Sequence, residues 1–203
     1  MLPLAEQGIL LYICMVMSAS PGYLFTSQRL GFRAWREDDL AAMAAINADP
    51  AVMEFFPALQ SEQETRQFIT RMNLQMERHG FCYYALDRLD TSELIGFTGL
   101  SYKDFEAAFT PCVDIGWRLA TSAWNQGFAT EAAKRCIQYG FNELQLKEIV
   151  SMAPVINVKS IAVMQKTGMH FERYFEHPLL PGDERLRTCA LYRVTPADLP
   201  DEI

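Results

Sequence analysis

The sequence lacks a long hydrophobic run, and it lacks basic residues near its start. Its most apolar early stretch, residues 8–17, is about half as long as a helix that spans a membrane. No Lys or Arg precedes Arg29, so the positively charged beginning of a secretory signal peptide is missing. Two interpretations of the start remain open. Either residues 1–26 form an apolar extension that packs on an apolar surface, or the natural protein begins at Met17.

Histidine, closely paired cysteine and positive charge are also scarce. The five cysteines include no C-x-x-C pair, and an odd, irregularly spaced set is typical of a reducing compartment. The three histidines have no partners at metal-ligand spacing, so no metal is predicted. The formal charge of −7 disfavours a nucleic-acid binder, and it either favours a cationic partner or serves solubility alone. We therefore expect a cytoplasmic protein that binds neither nucleic acid nor a membrane.

What is present is the pattern of one α/β domain. The 203 residues are 50% hydrophobic and 21% charged, which is a globular composition, and no repeat or linker divides them. Periodicity predicts the order β-α-α-β-β-β-α-β-α-β-β over residues 27–195, followed by a tail over residues 196–203. Ser61 and Glu64 have the spacing of a capping box at the start of the second helix, and Gly80 follows its end.

The rest of the chain is organised around residues 113–144. Residues 113–119 predict a buried strand, and residues 131–144 have the apolar periodicity of a helix. In the turn between them, the small residues Gly127 and Ala129 let a ligand reach backbone N–H groups at a helix start. This arrangement suits a pyrophosphate, although Gly127 also suits a simple tight turn. A Walker loop is disfavoured because no Lys-Ser/Thr pair follows, and one glycine is too few for a Rossmann fingerprint.

Two motifs resemble those of the GNAT acyltransferase superfamily. The segment W-N-Q-G-F-A-T-E-A, residues 124–132, resembles motif A in the branch that acetylates ribosomal-protein N-termini. The segment from Asn157 to Phe171 is similar to the N-x-x-S…K-x-G-F segment of the family. The likeness extends over about residues 26–195. It implies an α/β (α+β) GNAT fold with a twisted, mostly antiparallel sheet of six to seven strands, a splayed central strand pair and about four helices.

The resemblance also implies an acetyl-CoA-dependent N-acetyltransferase that acts on a primary amine. The coenzyme would contact the central strand, the Gly127 turn and two later residues, namely Trp117, Arg118, Leu119, Asn125, Gln126, Gly127, Phe128, Ala129, Thr130, Asn157 and Ser160. Trp124 stands where relatives often have Gln or Arg, so the phosphates must be met by backbone N–H groups and by Lys134, Lys159 or Lys166. An N-cap role is the alternative for Asn157.

Direct acetyl transfer needs a base but no protein nucleophile, so no cysteine is assigned to catalysis. Asp114 is an acid inside an apolar strand, where burial raises the pKa toward a useful range. Relatives often have an acid at this position. The alternative is a structural carboxylate that pairs with Arg118 or a neighbouring strand. Many relatives use a tyrosine acid where this chain has Met164, which leaves Ser160, expected near the sulfur, or water for that role.

The acceptor is the least defined part of the site. In the family, the region of Phe55 and Phe56 borders the acceptor pocket, beside Asp114, although the two rings also suit a cap on the core. The leading acceptor is a protein N-terminal amine on a basic partner. The alternatives are a small amine, such as a polyamine, amino acid or aminoglycoside, and a module that binds acyl-CoA without turnover. The sequence leaves the choice between a monomer and a homodimer open.

Overall fold

The computed structural model describes residues 22–199. From residue 27 onward, its strands and helices follow one another in the predicted order. The strands are β1 (Phe25–Thr26), β2 (Leu30–Arg33), β3 (Tyr83–Arg88), β4 (Leu94–Lys103), β5 (Cys112–Leu119), β6 (Ile149–Pro154), β7 (His170–Glu176) and β8 (Thr188–Val194). The α-helices are α1 (Asp39–Ala48), α2 (Glu62–His79), α3 (Phe128–Asn142) and α4 (Val158–Lys166). The apolar run at residues 8–17, the alternative start at Met17 and residues 200–203 of the predicted tail lie outside the described residues.

The strands form a single mixed sheet in the order β1-β2-β3-β4-β5-β6-β8-β7. Neighbouring strands are antiparallel except β5 and β6, which are parallel, so the predicted α/β fold with a mostly antiparallel sheet is confirmed. The eight strands exceed the predicted six to seven by β1, which pairs with Gly31 and Phe32. Two residues are too few to show strand alternation in a sequence. The sheet therefore includes Phe25 and Thr26, which we predicted to belong to the N-terminal extension.

The predicted splay of the central strand pair is present between β5 and β6. β5 pairs with β4 along its whole length, but it pairs with β6 only at Asp114 and Val150. Beyond that pair, a side chain crosses the gap, because Ser151 Oγ donates a hydrogen bond to Ile115 O at 2.9 Å. Among residues 22–199, the second half of β5 therefore has backbone groups on the β6 side that no strand satisfies.

Helices cover both faces of the sheet. On one face, Phe68 of α2 contacts Phe97 of β4, with ring centroids 5.1 Å apart. On the other face, Tyr139 of α3 contacts Tyr84 of β3 edge to face. Because side chains alternate along a strand, the even-numbered residues of β5, including Asp114, share the face of α1 and α2.

The second helix, α2, begins and ends as predicted. Ser61 Oγ accepts a hydrogen bond from Glu64 N at 3.2 Å, and the Glu64 carboxylate accepts one from Ser61 N at 2.7 Å. Gly80 follows the helix with φ of 77°, the left-handed conformation of a helix C-cap. Among residues 22–199, no helix has the length and hydrophobicity needed to cross a membrane.

Candidate active site

The turn between β5 and α3 presents backbone donors at a helix start. Gly127 precedes α3 with φ of 81°, a left-handed conformation that favours glycine. The first hydrogen bond of the helix runs from Glu131 N to Gly127 O at 3.0 Å, and no side chain caps this end. The N–H groups of residues 128–130 therefore have no acceptor within the helix, and the helix dipole adds positive potential. This end of α3 suits an anion.

A cavity of about 390 Å³ lies against the start of α3. Its walls also include the end of β5, the first turns of α4 and the loop after α1. It brings together twelve of the predicted site residues, which are Phe55, Phe56, Trp117, Arg118, Leu119, Asn125, Gly127, Phe128, Ala129, Thr130, Asn157 and Ser160. Gln126 and Asp114 are not among the residues that line this cavity.

Gln126 takes part in the internal bonding of the turn. Its Nε2 donates to Ser122 O at 2.7 Å, and its carbonyl accepts from Arg29 Nη1 at 3.0 Å. Arg29 also donates from Nε to Glu131 Oε2 at 2.7 Å, so it ties the turn to the first helical turn of α3. Nothing in the sequence pointed to Arg29, because it lies 97 residues before Gln126 and meets it only through the fold.

The groups around the cavity and the gap beside β5 match the chemistry of coenzyme A. The unsatisfied backbone groups of β5 can pair with the amides of pantetheine as they would with an added strand. The N–H groups at the start of α3 suit the diphosphate. Lys159 and Lys166 also line the cavity, and Lys159 Nζ lies 4.7 Å from the centre of the Trp124 ring. Lys134, the third predicted cation, is not among the lining residues.

The first turn of α4 contributes two polar side chains. Asn157 Oδ1 accepts a hydrogen bond from Ser160 N at 3.1 Å, so Asn157 is the N-cap of the helix. Asn157 and Ser160 both line the cavity, so the cap and a ligand contact are compatible. Met164 is 1% exposed, and its buried thioether offers no acid.

Asp114 lies buried on the α1 and α2 face of the sheet. Its carboxylate accepts a hydrogen bond from Tyr83 Oη and lies 3.8 Å from Lys103 Nζ. Burial raises the pKa of Asp114, and the opposing effects of Lys103 and the Tyr83 hydrogen bond do not cancel the rise. Both partners belong to other strands of the sheet, so the structural alternative of pairing with a neighbouring strand applies to Asp114. The ion pair of Asp114 is with Lys103 and not with Arg118.

The Tyr83 hydroxyl is a second polar group beside β5. It lies against Gly116, since a Cβ built on Gly116 would be 3.1 Å from Tyr83 Oη. Burial and the charge of Asp114 raise the pKa of Tyr83 well above its ordinary value, so the hydroxyl stays protonated. The position of this hydroxyl depends on the register of β3 against β4. Sequence periodicity does not determine that register, so no sequence signal pointed to Tyr83.

Arg118 is a buried cation on the cavity wall. Its Nη1 donates to Asn47 Oδ1 at 2.5 Å and to Gln60 Oε1 at 3.3 Å. The guanidinium lies 4.0 Å from the centre of the Phe56 ring. Burial lowers the pKa of Arg118 to about 10, which still leaves the side chain charged at neutral pH.

The cysteines of residues 22–199 are free thiols in the core. Burial raises the pKa of Cys112 to about 11 and that of Cys82 and Cys189 to about 12. Thiols with such values stay protonated and are poor nucleophiles at neutral pH. Within the same residues, no group of three or more His, Cys, Asp or Glu side chains is placed to hold a metal ion.

The splayed sheet and the uncapped start of α3 fit the GNAT class of acetyltransferases. The chain belongs to this family, because the family model described as Acetyltransferase (GNAT) domain matches residues 29–170. The family prediction is thereby confirmed. A curated relative is YnaD of Bacillus subtilis (strain 168), named an uncharacterized N-acetyltransferase. The chain is 29% identical to it over 161 residues, which are 78% of this chain and 89% of the relative.

Two solved acetyltransferases have the same fold. The chain has a TM-score of 0.69 and 21% identity to RimL, a ribosomal L7/L12 alpha-N-protein acetyltransferase in complex with coenzyme A, over 85% of this chain and 97% of that one. It has a TM-score of 0.65 and 18% identity to spermidine N-acetyltransferase from Vibrio cholerae in complex with CoA and spermine, over 83% and 96%. These two names point to different acceptors, so the shared fold does not select between them.

Proposed function

We propose that this protein transfers an acetyl group from acetyl-CoA to a primary amine. The observation that carries the proposal is the cavity in which the start of α3, the gap beside β5 and the first turn of α4 meet. The N–H groups of residues 128–130 would hold the diphosphate, and the edge of β5 with Asn157 would hold the pantetheine. When bound, acetyl-CoA supplies an activated acetyl group, and the chain itself aligns the amine and moves protons.

Asp114 is the proposed base. Its raised pKa makes it a stronger base than an ordinary carboxylate once it has ionised. Because Asp114 does not line the cavity, we propose that a water or the Tyr83 hydroxyl relays the proton from the amine. Ser160 lines the cavity and is the proposed proton donor on the side of the leaving thiol.

A protein N-terminal amine in the cytoplasm is the first proposed acceptor, with Phe55 and Phe56 in the acceptor wall. It is supported by the motif at residues 124–132 and by the fold shared with RimL. A small amine is the second candidate, supported by the fold shared with the spermidine enzyme.

The test is release of coenzyme A thiol from acetyl-CoA in the presence of N-terminal peptides, polyamines and amino acids. We expect release with at least one acceptor, and heat of binding with coenzyme A in calorimetry. Binding without release for any amine would favour a module that only binds acyl-CoA. No heat of binding would contradict the assignment of the cavity.

A further inference from the structure

Arg118 is a buried cation with an unused hydrogen-bonding edge. The residue is 8% exposed and lines the cavity beside Phe56. Its hydrogen bonds to Asn47 and Gln60 are both made by Nη1. Nε is buried and has no hydrogen-bond partner among residues 22–199. Nη2 makes no hydrogen bond among residues 22–199 and is not among the fully buried atoms, so it is the guanidinium nitrogen that remains for a ligand.

The charge of Arg118 has no acid to offset it in the described part of the chain. The ion pairs of residues 22–199 do not include Arg118. Arg33, which is also buried, shows the usual arrangement, since it binds the carboxylates of Asp39 and Asp87 at 2.6–2.8 Å. A buried charge without an opposite charge is costly. Two hydrogen bonds and the rings of Phe56 and Phe97, 4.0 and 5.4 Å from the guanidinium, offset part of that cost. An anionic ligand at the cavity wall would offset the remainder.

The position of Arg118 favours the acceptor as the source of that anion. Its side chain is on the sheet face of α1 and α2, where it meets Asn47 and Phe56, whereas α3 packs on the opposite face. Asp114 and the Tyr83 hydroxyl lie on the same face as Arg118, with Gly116 between them. Gly116, which the Tyr83 hydroxyl contacts, is two residues from Arg118, and two strand residues span roughly 6.6 Å. The cation and the hydroxyl therefore lie within the reach of one small molecule.

We infer that Arg118 binds a carboxylate of the amine acceptor through Nη2. The inference rests on the proposed acetyltransferase function and names its substrate class, an amine that carries a carboxylate a few bonds away. A hydrogen bond between a guanidinium and a carboxylate is charge-assisted and therefore stronger than a neutral one. The carboxylate comes either from the α-carboxyl group of a free amino acid or from an acidic side chain near a peptide N-terminus. A polyamine is disfavoured because it would bring positive charge to a buried cation.

The experiment compares matched acceptors in the wild type and in Arg118→Gln. One set pairs each L-amino acid with its C-terminal amide, and the other pairs Ser-Glu-amide with Ser-Gln-amide. We expect the wild type to prefer the acids. The substitution should lower kcat/KM for the acids about 10- to 100-fold and change the amides less than about threefold. Comparing the acid-to-amide ratio between the two proteins cancels the different amine pKa values of each pair. The set that shows the effect identifies the source of the carboxylate.

Lys166→Gln is the matched control, since Lys166 is a second cation on the same cavity wall. It should affect acids and amides alike and leave their ratio unchanged. Calorimetry with coenzyme A and thermal unfolding verify that Arg118→Gln folds and binds the coenzyme. The inference is overturned if the wild type shows no preference for acids in either set, or if Arg118→Gln lowers acids and amides equally.

A binding measurement separates this inference from the proposed function. If no acceptor releases thiol, the acetyltransferase proposal fails, and the same amino acids and amides are tested for a rise in the Tm of the protein saturated with coenzyme A. A rise with an acid, absent with its amide and absent in Arg118→Gln, supports the carboxylate site by itself. No rise with any acid overturns it.

Discussion

At the scale of single residues, Asp114 acquires from its surroundings a property that aspartate does not have in water. The carboxylate is buried in β5, meets the Tyr83 hydroxyl and lies near Lys103. Burial raises its pKa more than these two partners lower it. A proton acceptor with a raised pKa is better matched to the pKa of an amine. The buried position of Asp114, and not the residue type alone, is therefore the reason to propose it as the base.

Asp114→Asn should abolish most turnover while leaving the coenzyme site intact. We expect kcat to fall by about 10² to 10⁴, the usual contribution of a general base, with little change in the affinity for coenzyme A because Asp114 is not on the cavity wall. In the wild type, activity should decline on the acid side at a pH above the ordinary aspartate pKa of about 3.9, because the base is lost when it is protonated. Thiol release across pH and calorimetry measure these effects. Full turnover in the variant would show that the base is another group.

At the scale of elements, the start of α3 combines a special backbone conformation with an ion pair that holds it. Gly127 sets the direction of the turn, and Arg29 joins the Gln126 carbonyl to Glu131. Gly127 and the Arg29–Glu131 ion pair together fix the orientation of the free N–H groups, so a substitution at either position tests the turn.

Gly127→Ala should destabilise the fold and weaken coenzyme binding. An added Cβ would meet Arg29 Nη2 at an ordinary 3.5 Å, so the cost comes from the left-handed backbone and is about 1–2 kcal/mol. Gly182→Ala is the control, because a Cβ at Gly182 meets nothing within 4 Å and its φ is not in the left-handed region. Urea unfolding and calorimetry provide the measurements. Equal effects of the two substitutions would count against a special role for Gly127.

Glu131→Gln should lower stability by about 1 kcal/mol or less, since Arg29 is partly exposed and the pair is screened. Burial opposes ionisation of Glu131, but hydrogen bonds from Ser27 and Arg29 lower its pKa overall. A lowered folded pKa contributes stability that is complete above the unfolded pKa of about 4.3 and is lost as the pH falls through the folded value. The wild-type advantage in urea unfolding should therefore shrink below about pH 4. A gap that is the same at pH 3 and pH 7 would contradict this account.

At the scale of the whole molecule, a buried ion network joins elements that are distant in the chain. Arg33 at the end of β2 binds Asp39 at the start of α1 and Asp87 in β3. All three residues are at least nine-tenths buried, so the network fixes how the first helix sits on the sheet. It contacts no residue that lines the cavity. Loss of the network should therefore lower the stability of the fold without acting directly on catalysis.

Arg33→Met should lower the free energy of unfolding by about 3–5 kcal/mol, because it leaves two buried carboxylates without a cation. Arg66→Met is the matched control, since the Arg66–Glu37 pair is exposed and its loss should cost less than about 0.5 kcal/mol. Urea unfolding measures both. Comparable losses in the two variants would show that the buried network contributes no more than a surface pair.

The sequence by itself determined the order of the elements, the ends of α2 and the turn at Gly127. These features are local, because periodicity, a capping box and a glycine turn act over a few residues. Gly127 and the capping pair of Ser61 and Glu64 are examples. The family and the mostly antiparallel, splayed sheet followed from these local signals through a resemblance.

Only the tertiary structure decided which distant side chains meet. It bonded Arg29 to the turn at Gly127, set the Tyr83 hydroxyl on Asp114, added β1 to the sheet edge and left Arg118 Nε buried without a hydrogen-bond partner among residues 22–199. Strand register and burial create these contacts between residues far apart in the chain. No short window of sequence records either quantity, so the chemistry of the acceptor side depends on the assembled fold.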